Sequence, residues 1–233
     1  MSSSTGAAVP LSLDVEGSGT VSALLLVPAR VHAGYVFAHG AGAGMHHRFM
    51  AAVAERLAAR GIASLRFQFP SMEAGARRPD VPRVAHATVR AAVAEASLRL
   101  PGLPLFAGGK SFGGRMTSQA QAEAPLRDVR GLVFLGFPLH PAGRPGSERG
   151  DHLDRVGCPM LFFQGTRDEL ADRALVSALI HRLGARATLA VIDDADHAFH
   201  VRRQSGSSDA EVLDRIADAT RRWMAQHGAG LPD

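Results

Sequence analysis

The pentapeptide Gly109-Lys110-Ser111-Phe112-Gly113 constrains this chain more than any other feature. It reads G-x-S-x-G, and its flanks give the pattern meaning. Residues 103–107 form an apolar run of strand length. Residues 116–123 follow without Gly or Pro, and Pro125 closes them as a helix stop would. Strand, tight glycine turn and helix are the context in which such a serine sits on a sharp elbow, its hydroxyl held clear of the backbone. An ordinary strand-to-helix turn with a serine N-cap carries the same letters. A phosphate-binding loop also ends in Gly-Lys-Ser, but it needs glycine at position 104, where this chain has Pro104.

The rest of the chain supplies a frame for that elbow. Strand-like runs are expected at 11–15, 21–27, 34–38, 62–67, 131–137, 160–164 and 187–192. Helical spacing is expected over 45–60, where Phe49, Val53 and Leu57 fall four apart and Gly61 stops the run. It returns over 84–100, 116–123, 172–183 and 211–226. After the opening strands, apolar runs and helices alternate five times. That order predicts an α/β fold: a mostly parallel sheet with helices on both faces. Residues 69–82, with three prolines and the Arg77-Arg78 pair, read as a long exposed loop. Residues 138–151 read as a second loop, too short for a cap domain. Residues 1–10 are expected to be a flexible tail and 11–228 a single domain.

Composition removes several function classes. The formal net charge is +4, basic residues are dispersed and aromatics are few, so no nucleic-acid footprint is present. Cys158 stands alone, which rules out an internal disulfide and points to a small buried hydrophobe. No apolar stretch approaches the roughly 18 to 20 residues that a membrane helix needs. The first residues have neither a basic nor an apolar leader segment, so a cytoplasmic protein without membrane partners is the expectation. Lys110 is the only lysine in the chain. Either a compact ammonium is wanted there, for a carboxylate or a local positive potential, or it is a chance exception in an arginine-rich composition.

In a sheet of this kind, reactive groups collect where loops leave the carboxyl ends of strands. Ser111 is there. Asp168 lies just past the end of the strand at 160–164, and His197 follows the last strand. Serine, aspartate and histidine thus occur in the chain order of a nucleophile–acid–base triad, Asp168 standing 57 positions after Ser111 and His197 29 positions after Asp168. A serine hydroxyl is a poor nucleophile at neutral pH, so His197 would take its proton, and Asp168 would fix the imidazole tautomer. The backbone N–H groups of Phe112 and Ala41 are the expected oxyanion donors. His39, Gly40, Gly42, Lys110 and Arg115 are expected to line the site. Competing candidates are His200 for the base, and Glu169 and Asp172 for the acid, although Asp172 also reads as a helix N-cap. Asp193, Asp194 and Asp196 read as solvated or turn-capping charges. His39, His46 and His47 lack partner acids or cysteines, so no metal is expected, nor any cofactor.

On these residues the chain resembles the small α/β-hydrolases related to dienelactone hydrolases. In particular it is similar to a branch carrying H-G-A-G at 39–42, G-G-K-S-x-G-G-R at 108–115, G-T-R-D at 165–168 and A-D-H-x-F at 195–199. The resemblance implies Ser111, Asp168 and His197 as the triad. Dienelactone hydrolases proper carry cysteine where Ser111 stands. The expected function is hydrolysis of a small ester or thioester through an acyl-enzyme, with a small-molecule acyl substrate as partner. An acyltransferase with the same triad and a non-catalytic binding or scaffold protein are the alternatives. The site is expected to be open and partly covered by 69–82 and 138–151. Arg77, Arg78, Arg144 and Arg149 there either favour an anionic acyl group or are plain surface charges.

Overall fold

The computed structural model describes residues 6–228. Eight strands form one sheet: β1 (Val9–Val15), β2 (Gly19–Leu26), β3 (Ala33–Ala38), β4 (Ile62–Phe67), β5 (Leu105–Lys110), β6 (Val129–Leu135), β7 (Met160–Gly165) and β8 (Ala187–Ile192). They lie in the order β1-β2-β4-β3-β5-β6-β7-β8. The pairings β1/β2 and β2/β4 are antiparallel, and every other pairing is parallel. The helices are α1 (Arg48–Ala58), α2 (Pro70–Glu73), α3 (Pro82–Arg99), α4 (Phe112–Glu123), α5 (Arg173–Leu183) and α6 (Asp209–Gly228).

The alternation of side chains along each strand divides the core in two. Tyr35, Phe37, Phe106, Val133, Leu161 and Phe163 point to the face covered by α1 and α6, where Val53, Leu57, Ile216 and Trp223 meet them. Val36, Ala107, Leu132, Phe134 and Phe162 point to the opposite face, against Val89 and Val93 of α3, Met116 of α4 and Leu179 of α5. Strands β3, β4 and β7 are buried along their whole length, as a sheet covered on both sides requires. Each large side chain so buried contributes about 1.5–3 kcal/mol.

Several boundaries differ from expectation, each for a local reason. Strand β1 takes in Val9 and Pro10, which pair with Leu25 and Leu24; residues 1–5 of the expected tail lie outside the described residues. Helix α1 begins at Arg48 and not at 45, because the Met45 amide donates to the Gln68 side chain and its carbonyl accepts from Arg66. His47 caps the shortened helix by accepting from Phe49 N–H. Helix α4 starts at Phe112 and not at 116, and so includes two glycines. Close approach demands the first: a Cβ on Gly113 would stand 2.5 Å from the His39 carbonyl oxygen.

The segment 69–82 is more than an exposed loop. Phe69 is buried, Pro70–Glu73 makes one helical turn, and Ser71 binds Asp80 through both its amide and its hydroxyl. Glu73 holds Ser22 of β2. Leu139 and His140 are likewise buried, and a 3₁₀ turn covers Glu148–Arg155. That turn is the one helical element between β6 and β7, so no cap domain is inserted there.

Candidate active site

Ser111 is the single residue between β5 and α4, at φ 50° and ψ −115°. A side chain in this region stores about 1–3 kcal/mol of strain. The backbone meets the strain with two bonds: Ser111 N–H donates to the Leu135 carbonyl, and the Ser111 carbonyl accepts from Arg115 N–H. Its side chain makes no capping bond to the helix. Instead Oγ lies 2.8 Å from His197 Nε2. His197 Nδ1 lies 2.7 Å from Asp168 Oδ2, and the Asp168 side chain has no exposed surface. A carboxylate beside Nδ1 makes that nitrogen the N–H donor, which leaves Nε2 free to accept from the serine hydroxyl.

The sequence-neighbouring competitors are occupied elsewhere. Asp172 caps α5 by accepting from Ala174 and Leu175 N–H. Asp196 accepts from Ala198 and His200 N–H and so caps the turn that carries His197. His200 is paired with Asp209, which raises its pKa. Asp194 faces Arg167 and Arg202, and Glu169 is exposed.

The glycine-containing turn after β3 borders the serine from the other side. His39 is buried; its Nδ1–H donates to the Gly40 carbonyl at 2.8 Å, and Nε2 accepts from Phe69 N–H at 3.1 Å. Burial lowers its pKa, in keeping with this neutral tautomer. A Cβ on Gly40 would sit 3.7 Å from Ser111 Cβ, so the turn lies directly against Ser111. Phe112 is the first residue of α4, and its N–H has no partner within the helix.

A pocket of about 680 Å³ opens at Ser111. Its apolar wall includes Phe49, Met50, Leu170, Phe199 and Leu213, with Arg48, His47, His200 and Asp209 also lining it. Gly40, Ala41 and Lys110 also line it. Three expected lining residues do not. His39 and Gly42 border a separate small cavity on the Phe112 side. Arg115 lies near Arg149 and His152 and outside this pocket, with its Nε buried and unpartnered. The loops 69–82 and 138–151 contribute nothing to the Ser111 pocket, because α1, α6 and the turn at 197–200 already wall it. Arg77, Arg78 and Arg144 are exposed and outside it.

Sequence reasoning missed Gln164 and the aromatic pair. Gln164 donates its amide to Asp168 Oδ2. Phe49 and Phe199 stack with centroids 6.0 Å apart and planes 12° apart. Gln164 was visible only as the end of a strand, four residues before Asp168. The spacing of Phe49 with Val53 and Leu57 reads as core. Nothing in the sequence pairs Phe49 with Phe199.

A second serine–histidine contact joins Ser118 Oγ to His152 Nε2 at 2.7 Å. Its chemistry is different. The Ser118 hydroxyl donates its one proton to the Arg115 carbonyl, so His152 must be the N–H donor and not the base. Burial, with Arg115 and Arg155 nearby, pushes the His152 pKa down to about 4. The pair is buried inside the α4/3₁₀ contact.

Among the described residues no three His, Cys, Asp or Glu side chains gather as metal ligands, and no helix is long and apolar enough to cross a membrane.

A family model described as an alpha/beta hydrolase domain matches residues 31–225. Two proteins from strains of Mycobacterium tuberculosis, provisionally named phosphoribosyl transferases, are 30% identical over 227 residues, covering 93% of this chain and 46% of theirs. This chain therefore spans about half the length of those curated relatives. Among solved structures, a serine hydrolase without a lid from Xanthomonas campestris is similar at 23% identity, with a TM-score of 0.73 and 97% of each chain covered. A dienelactone hydrolase from Anabaena variabilis is similar at 21% identity, with a TM-score of 0.76 and coverage of 95% and 98%. At these identities the likeness is one of fold.

Proposed function

This chain belongs to the α/β-hydrolase family, and from that premise we propose that it is a serine hydrolase cleaving a small ester or thioester through an acyl-enzyme. The observation that carries the reading is the unbroken line Ser111 Oγ–His197 Nε2, His197 Nδ1–Asp168 Oδ2, at 2.8 and 2.7 Å. Ser111 Oγ attacks the acyl carbon as its proton passes to Nε2. The imidazolium so formed is stabilised by the Asp168 carboxylate. It then gives the proton to the departing alcohol or thiol, leaving an acyl-serine. Water enters, loses a proton to Nε2 and attacks the acyl-serine, and Ser111 leaves with that proton. The oxyanion of each tetrahedral species is assigned to Ala41 and Phe112 N–H, each worth on the order of 3 kcal/mol of barrier.

The apolar wall of the pocket supports an uncharged, apolar acyl group. The transferase name of the M. tuberculosis relatives belongs to proteins about twice as long as the region matched, and it is not carried to this chain.

A fluorophosphonate probe read by intact mass tests the proposal. One adduct on the wild type and none on Ser111→Ala is the expected result. A folded wild type that takes no adduct would overturn it in favour of a binding or scaffold role. A labelled protein that transfers its acyl group to an added alcohol or amine faster than to water would be an acyltransferase.

A further inference from the structure

The chain's only lysine ends β5, one residue before Ser111. Among the described residues its ammonium makes no ion pair with a carboxylate. Nζ donates to the backbone carbonyl of His197 at 2.5 Å, and it lies 5.4 Å from the ring centroid of Phe199 and 6.0 Å from that of Phe49. Room for it exists because residue 136 is glycine: a Cβ there would stand 2.9 Å from Nζ and 3.4 Å from the His197 ring. An unbranched apolar side chain would fill the same space without removing a charge from water. A cation kept under these conditions, between two rings and on one carbonyl, calls for a reason beyond packing.

The other bonds of the histidine turn indicate that reason. Arg167 N–H donates to the Ala195 carbonyl and Asp194 N–H to Thr166 Oγ1, which fastens the start of the turn to the end of β7. The Asp196 N–H bond to the His200 carbonyl, and the Asp196 carboxylate, close the turn on itself. These bonds fix the turn near Asp168 but do not reach the strand that presents Ser111. Lys110 does. We propose that Lys110 is a positioning residue that ties the His197 backbone to the nucleophile strand and so holds Nε2 in line with Ser111 Oγ. The inference rests on the serine-hydrolase reading. A displacement of about 1 Å between reacting groups costs on the order of 100-fold in rate.

The charge state of Lys110 gives the idea a signature. Burial pushes its pKa down to about 8, against the pull of Asp168 and Asp196. The other titratable or charged groups around the same pocket are His47, which caps α1, and Arg48, its first residue; His197 and His200 from the turn after β8; and Asp209 from α6. Once its proton is lost, Lys110 keeps only a weak neutral donor and loses its attraction to the two rings. The rate should then fall on the alkaline side, where a serine–histidine pair alone would hold a plateau.

The test measures the second-order rate of fluorophosphonate labelling at Ser111, from about pH 6 to about pH 10, for wild type, K110M and K110R. Melting temperature is read alongside, with kcat and KM on p-nitrophenyl butyrate. K110M should label at least about tenfold more slowly than wild type near neutral pH, with its melting temperature equal or higher and the loss in kcat and not in KM. Wild type should decline above about pH 8. K110R, which stays protonated, should keep most of the rate and lose that decline. A folded K110M that labels at the wild-type rate with the same pH profile would overturn the inference. So would a loss that merely tracks a lower melting temperature. A wild type that takes no label at all would instead overturn the hydrolase reading, which is a separate failure.

Discussion

Gln164 donates its side-chain amide to Asp168 Oδ2, while its own carbonyl oxygen accepts the Phe137 backbone N–H at 3.1 Å. With Leu170 N–H on Oδ1 and His197 on Oδ2, the buried carboxylate has donors on both oxygens. Gln164→Leu removes one donor from Asp168 and strands the Phe137 N–H. It should cost about 1–3 kcal/mol in urea unfolding. It should also slow labelling of Ser111 by about tenfold, since the acid then orients His197 less firmly.

Asp168→Asn keeps the shape but reverses the hydrogen-bond demand on Nδ1, favouring the tautomer with its proton on Nε2. The expected result is a fall of about 10³–10⁴-fold in kcat with the circular dichroism spectrum unchanged. A fall of less than about tenfold would mean that Asp168 is not the orienting acid.

Ser111→Gly should abolish labelling yet stabilise the fold. It relieves a residue held at φ 50°, and the net gain should be about 1 kcal/mol after the greater backbone entropy of glycine. In a chain of this size that is about 2–4 °C in a calorimetric scan. Ser111→Ala, which keeps the strain, should not show it.

The His152 pKa is lowered to about 4 in the fold, against an ordinary value near 6.5. Between those values the unfolded chain binds the proton and the folded one does not. Stability contributed by neutral His152 is therefore full above about pH 6.5 and is lost as pH falls towards 4. The loss should be on the order of 1–3 kcal/mol, since the ring is not wholly shielded from solvent. His152→Gln should flatten this part of the profile in urea midpoints measured across the window. An unchanged slope would show that other groups cause the acid loss.

Acyl preference can be read from the pocket wall. For p-nitrophenyl esters, kcat/KM should rise about threefold per added methylene from acetate to hexanoate, the return for burying each group against Phe49 and Leu213. Leu213→Trp should reverse the trend by filling the pocket. A profile indifferent to chain length in both proteins would place the acyl group elsewhere.

Local chemistry alone determined much of this protein. The elbow is readable because a strained strand-to-helix turn demands glycines close to the serine, and Asp168 and His197 are readable because each follows a strand in a sheet whose alternation the apolar runs declare. Strand limits such as 62–67 and 187–192 fall where expected, the first bounded by Gly61 and Pro70 and the second by Gly184 and the Asp193-Asp194 pair. The start of α4 did not, since Gly113 and Gly114 are poor helix formers, and Gly113 is kept for the close approach of His39, a contact no local pattern contains. What only the tertiary structure decided are relations across the sheet. These include which atoms of Asp168 Gln164 occupies, which rings flank Lys110, which helices wall the pocket, and which serine–histidine pair has a free acceptor nitrogen. Sequence patterns report a residue's own strand or helix and its neighbours within a turn. Bonds such as Lys110 to His197, 87 residues apart, depend on how β5 and the turn after β8 lie side by side once the sheet has closed its order.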